Sequence, residues 1–301
     1  MNPGQARPRS VAPPRARWLV VGAAGMLGQD VVEAARAAGH DVVALTRADL
    51  DVTDARACRE ALAGADVVVN GAAYTAVDDA ETHEPQAFAV NAVGAANLAR
   101  AAADVGARLI HPSTDYVFAG DADAPYAEDA PVAPRSAYGR TKAAGEWAVL
   151  AASPDHLVLR TAWLYGAGGG NFPKTIVRVA RERGGVDVVD DQRGQPTWTR
   201  DVADLAVRLV AAEAPGGTYH ATSSGDATWF DFARAAVAAA GLDPEAVRPT
   251  TSEAFVRPAP RPAYSVLGHE ALLRAGVEPI GDWRDRWEAA ASSVLSPAAA
   301  R

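Results

Sequence analysis

Short apolar runs alternate along the chain with longer, alanine-rich stretches in which charged residues recur. Residues 18–21, 41–45, 66–69, 108–111 and 156–160 are each brief and rich in Val, Leu or Ile. Runs of this length with little polar alternation read as strands buried on both faces, as in a parallel sheet. Residues 29–38, 54–63, 85–105 and 136–152 lie between them and read as helices. Gly39 ends the first, and Asp54 serves the second as a first-turn acid. Strand–helix alternation this regular predicts an α/β fold with a doubly wound parallel sheet.

The pattern loosens after residue 160. Residues 166–170 read as a flexible glycine loop, and 171–183 as a helix with Pro173 in its first turn. A polar loop over 190–197 precedes an amphipathic helix over 201–212 and a short strand over 218–221. A helix over 229–240, a Pro-rich segment over 257–262 and a last helix over 282–295 complete the chain. We expect a sheet domain from 17–163 with 198–223 returning to it, and a smaller region from 164–197 and 224–301. Residues 1–16, rich in Pro and Arg, read as a disordered extension. No internal repeat is evident.

Composition narrows the partners. The 301 residues are 49% hydrophobic and 22% charged, ordinary for a globular chain. A net charge of −8 argues against passive binding to nucleic acid or anionic membrane. The apolar run after the N-terminal arginines is cut at Gly22, too short for a secretory signal, and no run approaches the roughly 20 residues of a membrane span. Cys58 is the single cysteine, which excludes an intrachain disulfide and fits a reducing cytoplasm. The six histidines are scattered, and no metal site is expected.

Chemistry concentrates in three places. The first strand runs into Gly22-x2-Gly25-x2-Gly28 and then a helix, a unit of about 30 residues that gives a glycine motif meaning. Glycines let the backbone approach a pyrophosphate, and the helix N-terminus supplies donors. The small Ala72 and Ala73 after the third strand would let a flat cofactor lie close. The second strand ends at Thr46-Arg47 and not at an acid, which favours NADPH, with NADH as the second candidate. The fourth strand ends at Ser113-Thr114, where parallel sheets collect ligands, although a threonine there is equally suited to a local turn. The third place is Tyr138-x3-Lys142. Helical spacing puts the two on one face, roughly 5–6 Å apart between Cβ atoms, and a nearby ammonium is expected to lower the phenol from its ordinary ~10. Of 29 basic residues only Lys142 and Lys174 are lysines. A chain that uses arginine for surface charge has little reason to place lysine here for solubility.

These motifs together resemble the extended short-chain dehydrogenase/reductases. Ser113-Thr114-Asp115-Tyr116-Val117-Phe118, Arg160-Thr161-Ala162-Trp163-Leu164-Tyr165, Asp191-Gln192-x-Gly194-x-Pro196-Thr197 and Arg261-Pro262-x2-Ser265 are similar to the dTDP-4-dehydrorhamnose reductase family, over about residues 17–290. The resemblance implies a Rossmann dinucleotide-binding domain beside a sugar-nucleotide region, and reduction of the C4 ketone of a dTDP-4-dehydro-6-deoxysugar, dTDP-4-dehydro-L-rhamnose first. It implies that Tyr138 protonates the ketone oxygen, that Thr114 bonds the carbonyl, and that Lys142 holds the nicotinamide ribose and keeps Tyr138 acidic. Gly25, Met26, Leu27, Asp51, Val52, Ala73, Tyr74 and Thr75 match positions near the dinucleotide, and Asp115 and Trp163 positions near the sugar. The partner is then a small sugar nucleotide; a homodimer is allowed. A 4,6-dehydratase would carry Asp-Glu after the threonine, whereas Asp115-Tyr116 stands here. A ketoreductase for another deoxysugar, of dihydrostreptose type, would use the same residues, and a non-catalytic regulatory subunit would often have lost Tyr138 or Lys142.

Overall fold

The computed structural model describes residues 15–296. Of the extension expected over 1–16, only Arg15 and Ala16 fall among them; the rest lies outside the described residues. In chain order the first half consists of β1 (Arg17–Val21), α1 (Met26–Ala37), β2 (Asp41–Leu45), α2 (Ala55–Ala61), β3 (Val67–Asn70), α3 (Glu84–Phe88), α4 (Ala95–Asp104), β4 (Arg108–Thr114), α5 (Ala137–Ala152) and β5 (Leu157–Thr161). Then follow β6 (Leu164–Tyr165), α6 (Phe172–Arg183), β7 (Val186–Val189), β8 (Arg193–Gly194), β9 (Thr197–Trp198), α7 (Thr199–Ala211) and β10 (Gly217–His220). The chain closes with β11 (Ser223–Ser224), β12 (Ala227–Thr228), α8 (Trp229–Ala239), β13 (Val247–Thr250), α9 (Glu270–Arg274), β14 (Ile280–Asp282) and α10 (Trp283–Leu295).

Six strands form one parallel sheet in the order β10-β5-β4-β3-β1-β2. Side chains alternate across it with the period of a strand. Trp18, Val20, Val67, Val69, Ile110 and Leu159 face α1 and α7, while Leu19, Val21, Val68, Leu109 and Val158 face α2, α4 and α5. Both faces are covered, which is why the strands read as continuous apolar runs. The chain winds from β1 outward to β2, then back across to β3. The crevice at this reversal is where such sheets hold ligands.

Three local expectations change. The helix foreseen over 85–105 is interrupted by a π-helical turn, Ala89–Gly94, between α3 and α4. The buried Asn91 in that turn bonds both the Tyr74 backbone and the Thr141 hydroxyl, so tertiary partners set the turn and the local alanine pattern does not. Asp54 is the N-cap of α2, accepting from the N–H groups of Arg56 and Ala57, and not a residue of its first turn. The glycine loop 166–170 is tied down: Gln29 donates to the Gly168 carbonyl, Asn171 to Gly166, and the Lys174 amine to Ala167 and Gly169 at 2.7 and 2.8 Å.

Beyond β5 an aromatic core of Tyr165, Trp198, Phe232, Trp283 and Trp287 joins α6, α8 and α10. Asn171 caps α6 by accepting from Lys174 N, with Pro173 in the first turn and Gly184 closing the far end. β7 and β13 pair in parallel against this group. No described helix is long and apolar enough to cross a membrane.

Candidate active site

Helix α5 carries the Tyr138–Lys142 pair. Ser136 starts it by accepting from Gly139 N at 3.1 Å. Lys142 is 3% exposed, so it is no solvated surface charge. Its amine donates to the Pro112 carbonyl at 2.7 Å and lies 3.4 Å from His111 Nε2. Burial lowers the amine to about 8, against an opposing pull from Glu146 one turn on. Glu146 itself is paired with Arg160 in a buried bridge at 2.8 Å that ties α5 to β5.

Tyr138 departs from expectation. It is half-buried with its ring edge-on to Tyr116, and its phenol is pushed up to about 12, not down. Burial is the larger cause and the Asp115 carboxylate the second; the Thr114 hydroxyl offsets part of the rise. Spacing on one helix face was not enough, because the Lys142 amine is turned to β4 and engaged by Pro112.

Thr114 and Asp115 sit at the carboxyl end of β4. Thr114 Oγ1 accepts from Tyr116 N at 3.2 Å and donates to Asp115 Oδ1 at 3.0 Å, so its hydroxyl does serve a local turn. Asp115 is 2% exposed and its second oxygen has no partner among the described residues, as is also true of Ser265 Oγ. Burial pushes the Asp115 carboxyl up to about 6, against the nearby Ser265 hydroxyl and the bond from Thr114. Thr114 is in register with Thr161, and Trp163 follows two residues later. Trp163 has a left-handed backbone (φ 47°) and lies flat on Trp229, ring centroids 3.6 Å apart.

The glycine motif opens next to this edge. Gly22 has φ 73°, and a Cβ there would stand 2.5 Å from the Gly71 backbone; one on Gly28 would stand 2.3 Å from the Gly22 carbonyl. Helix α1 starts at Met26 and Leu27 with Gly25 as N-cap, no side chain bonded to its first N–H groups and no acid in its first turn. This is a cradle for an anion, and it fits a dinucleotide pyrophosphate. Ala72, Ala73, Tyr74 and Thr75 form the loop beyond β3, and Tyr74 N is anchored to Asn91 Oδ1 at 2.8 Å. Arg47 is exposed just past β2 and Val52 is buried. Asp51 lies between them, its carboxyl held low mainly by bonds from Thr53, with Arg47 adding to the effect.

A cavity of about 650 Å³ opens on the side of Tyr116 and Trp229. Tyr116 and Trp229, which touch Tyr138 and Trp163 respectively, both line it. The remaining wall combines aliphatic side chains such as Ile176 and Val188 with the guanidinium groups of Arg183, Arg248, Arg257 and Arg261. Asp78, from the loop after β3, accepts from Arg261 at 2.9 Å and from Ala259 N at 3.2 Å. Among the described residues no three His, Cys, Asp or Glu side chains converge as metal ligands.

Asn70, His111, Asn91, Asp78 and Arg257 join the site only through tertiary contacts. The available signal was weak: His111 is a lone polar residue inside an apolar strand, and Asn70 closes another.

The RmlD substrate binding domain family model matches residues 16–295. A Streptomyces griseus protein named dTDP-4-dehydrorhamnose reductase is 51% identical over 278 residues, 90% of this chain and 91% of its own. A Streptomyces antibioticus protein named "Probable dTDP-4,6-dihydroxy-2-methyloxan-3-one 4-ketoreductase" is 51% identical over 288 residues, 93% of this chain and 96% of its own. Among solved structures, a Bacillus anthracis dTDP-4-dehydrorhamnose reductase in complex with NADP is 35% identical with a TM-score of 0.88, over 91% of this chain and 98% of its own.

Proposed function

The chain belongs to the dTDP-4-dehydrorhamnose reductase family, and on that premise we propose that it reduces the C4 ketone of a dTDP-4-dehydro-6-deoxysugar, dTDP-4-dehydro-L-rhamnose first, with NADPH. The observation that carries this reading is the meeting of Tyr138, Thr114 and Asp115 at the carboxyl end of β4, with Tyr116, whose ring packs on Tyr138, lining the arginine-bearing cavity.

NADPH, when bound, supplies the hydride; Gly22, Gly25, Met26, Leu27 and Gly28 would hold its pyrophosphate, with Asp51, Val52, Ala72, Ala73, Tyr74 and Thr75 around the rest and Arg47 on the 2′-phosphate. Everything else falls to side chains of this chain. The C4 oxygen gains the electron pair of the C=O bond as the carbon is reduced, and Tyr138 gives that oxygen its proton. A phenol pushed up to about 12 stays protonated at neutral pH, which is the state a reduction needs. Thr114 holds the carbonyl by turning its hydroxyl from Asp115 to the ketone. Lys142 would hold the nicotinamide ribose and supply the proton that Tyr138 gives up. Asp115 and Trp163 face the sugar.

The cavity takes the nucleoside diphosphate. Its arginines offer two or more cationic forks to phosphate oxygens, and its aliphatic and aromatic wall suits a pyrimidine. In this reading 17–163 and 198–223 form mainly the cofactor side, and 164–197 with the described part of 224–301 form most of the sugar-nucleotide side. The reaction belongs in the cytoplasm, beside the pools of NADPH and nucleotide sugars.

The experiment is a panel of dTDP-4-keto sugars assayed for NADPH and NADH consumption, with sugar products identified. Turnover of dTDP-4-dehydro-L-rhamnose to dTDP-L-rhamnose with NADPH is expected. Reduction of a different ketosugar alone would move the substrate, and no turnover with any would overturn the reading.

A further inference from the structure

Asn70 closes β3, His111 lies inside β4 and Lys142 is on α5; their exposures are 3%, 0% and 3%. The three are in contact although 31 and 41 residues separate His111 from the others. The orientation of the Asn70 amide follows from its other bond. Oδ1 accepts the backbone N–H of Ala72 at 3.2 Å, so the atom facing His111 Nδ1, at 3.1 Å, is Nδ2, a donor. A donor there needs a lone pair on Nδ1, and a neutral imidazole then carries its proton on Nε2. His111 is neutral, since burial first and the Lys142 charge second hold it well below the ordinary histidine value.

Nε2 is the atom that faces the Lys142 amine, at 3.4 Å. An ammonium has three donors and no acceptor and finds no partner in an N–H; a neutral amine has a lone pair that accepts it. The Pro112 carbonyl takes one amine hydrogen in either state. We propose that Asn70 and His111 are positioning residues for Lys142: Asn70 locks His111 in its Nε2–H tautomer, and His111 thereby presents a donor, not an acceptor, to the amine. The proposal rests on Lys142 serving Tyr138, as above.

Other groups around the amine do not supply that effect. Glu146, one turn on, attracts the ammonium, but its oxygens are engaged by three bonds from Arg160 at 2.8–3.2 Å. Tyr138, one turn earlier, is protonated. The tautomer lock therefore weakens the hold of Lys142 on its proton. An amine near 8 can take up and release a proton around neutral pH, which an ordinary lysine cannot. The same Asn70 side chain fixes the Ala72 N–H, so one amide sets both the loop beyond β3 and the charge state of Lys142.

The chain has only two lysines, which makes the test direct. In protein labelled at lysine Cε, two resonances are titrated by NMR, and Lys174→Arg assigns them. Long-range nitrogen–proton correlations of the imidazoles report the His111 tautomer. Wild type should show Nε2–H on His111. Asn70→Asp is isosteric and can only accept from Nδ1, so it should move the ring proton to Nδ1 and raise the Lys142 midpoint by at least about one pH unit. Asn70→Leu removes the donor without adding charge and should raise it too, as should His111→Gln, which offers the amine an acceptor. The alkaline limb of turnover should shift upward in parallel. An Nδ1–H tautomer in wild type, or an unchanged Lys142 midpoint in folded Asn70→Leu and His111→Gln, would overturn the proposal. Neither spectroscopic readout uses a sugar substrate, so failure here is separable from failure of the proposed reaction.

Discussion

Arg261 reaches from the Pro-rich segment to Asp78 in the loop after β3, guanidinium to carboxylate at 2.9 Å, with Arg257 a further 0.8 Å out at 3.7 Å. The pair joins the loop beyond the glycine cradle to the mouth of the cavity. Asp78→Asn should therefore loosen the two arginines. A part-buried ion pair of this kind is worth on the order of 1 kcal/mol, so KM for the sugar nucleotide should rise about fivefold, with kcat little changed. An unchanged KM would make the pair ornamental to binding.

Tyr138→Phe should lower turnover by ~10²–10⁴-fold, the usual loss for a positioned proton donor. The ring still packs on Tyr116 and the cradle is untouched, so NADPH affinity should stay within about twofold, since each 1.4 kcal/mol of lost binding would be tenfold. Kinetics and a binding titration check the two halves, and wild-type turnover would remove Tyr138 from the chemistry.

Lys142→Arg keeps charge but not shape. The amine sits in a buried slot against the Pro112 carbonyl, and a planar guanidinium cannot occupy it without displacing α5 or the ribose. Displacements of about 1 Å cost on the order of 10²-fold. Wild-type turnover should also fall above about pH 8 as Lys142 loses its proton, and in the arginine variant that limb should move up. Near-normal turnover with an unchanged profile, in protein shown folded by circular dichroism, would contradict the assignment.

Arg47→Ala should weaken NADPH more than NADH, because only the former carries a 2′-phosphate for this exposed guanidinium at the end of β2. The ratio of the two Michaelis constants is the measurement, and a constant ratio would return Arg47 to ordinary surface charge.

Asp115 gives a stability prediction. Its carboxyl rises from 3.8 to about 6 in the fold, so the native state binds the proton more tightly than the unfolded chain does. Stability from this group is full below pH 3.8 and is lost as pH rises through about 6. Asp115→Asn should thus stabilise the protein at pH 7–8 by up to about 3 kcal/mol, with the gain vanishing near pH 4. Denaturant melts at both pH values check it; an equal effect at each would mean that the carboxylate is not strained by burial.

Local sequence is enough to dictate the parallel sheet, the glycine cradle and the placing of Tyr138 and Lys142 on one helix. These rest on short-range periodicities: continuous apolar runs for buried strands, glycines between strand and helix, and four-residue spacing on α5. Tertiary structure decided what those residues do. Residues four apart share a helix face whatever surrounds them, but the Tyr138 phenol rises because water is excluded around it and because the Asp115 carboxylate stands near, in the turn after β4. The helix around Asn91 became a π turn because Tyr74 and Thr141 converge on that one side chain. The Arg257–Arg261–Asp78 group and the Asn70–His111–Lys142 chain join segments far apart in sequence, and only the folded chain brings them together. Contact and burial set proton affinities, and neither is a property of local spacing.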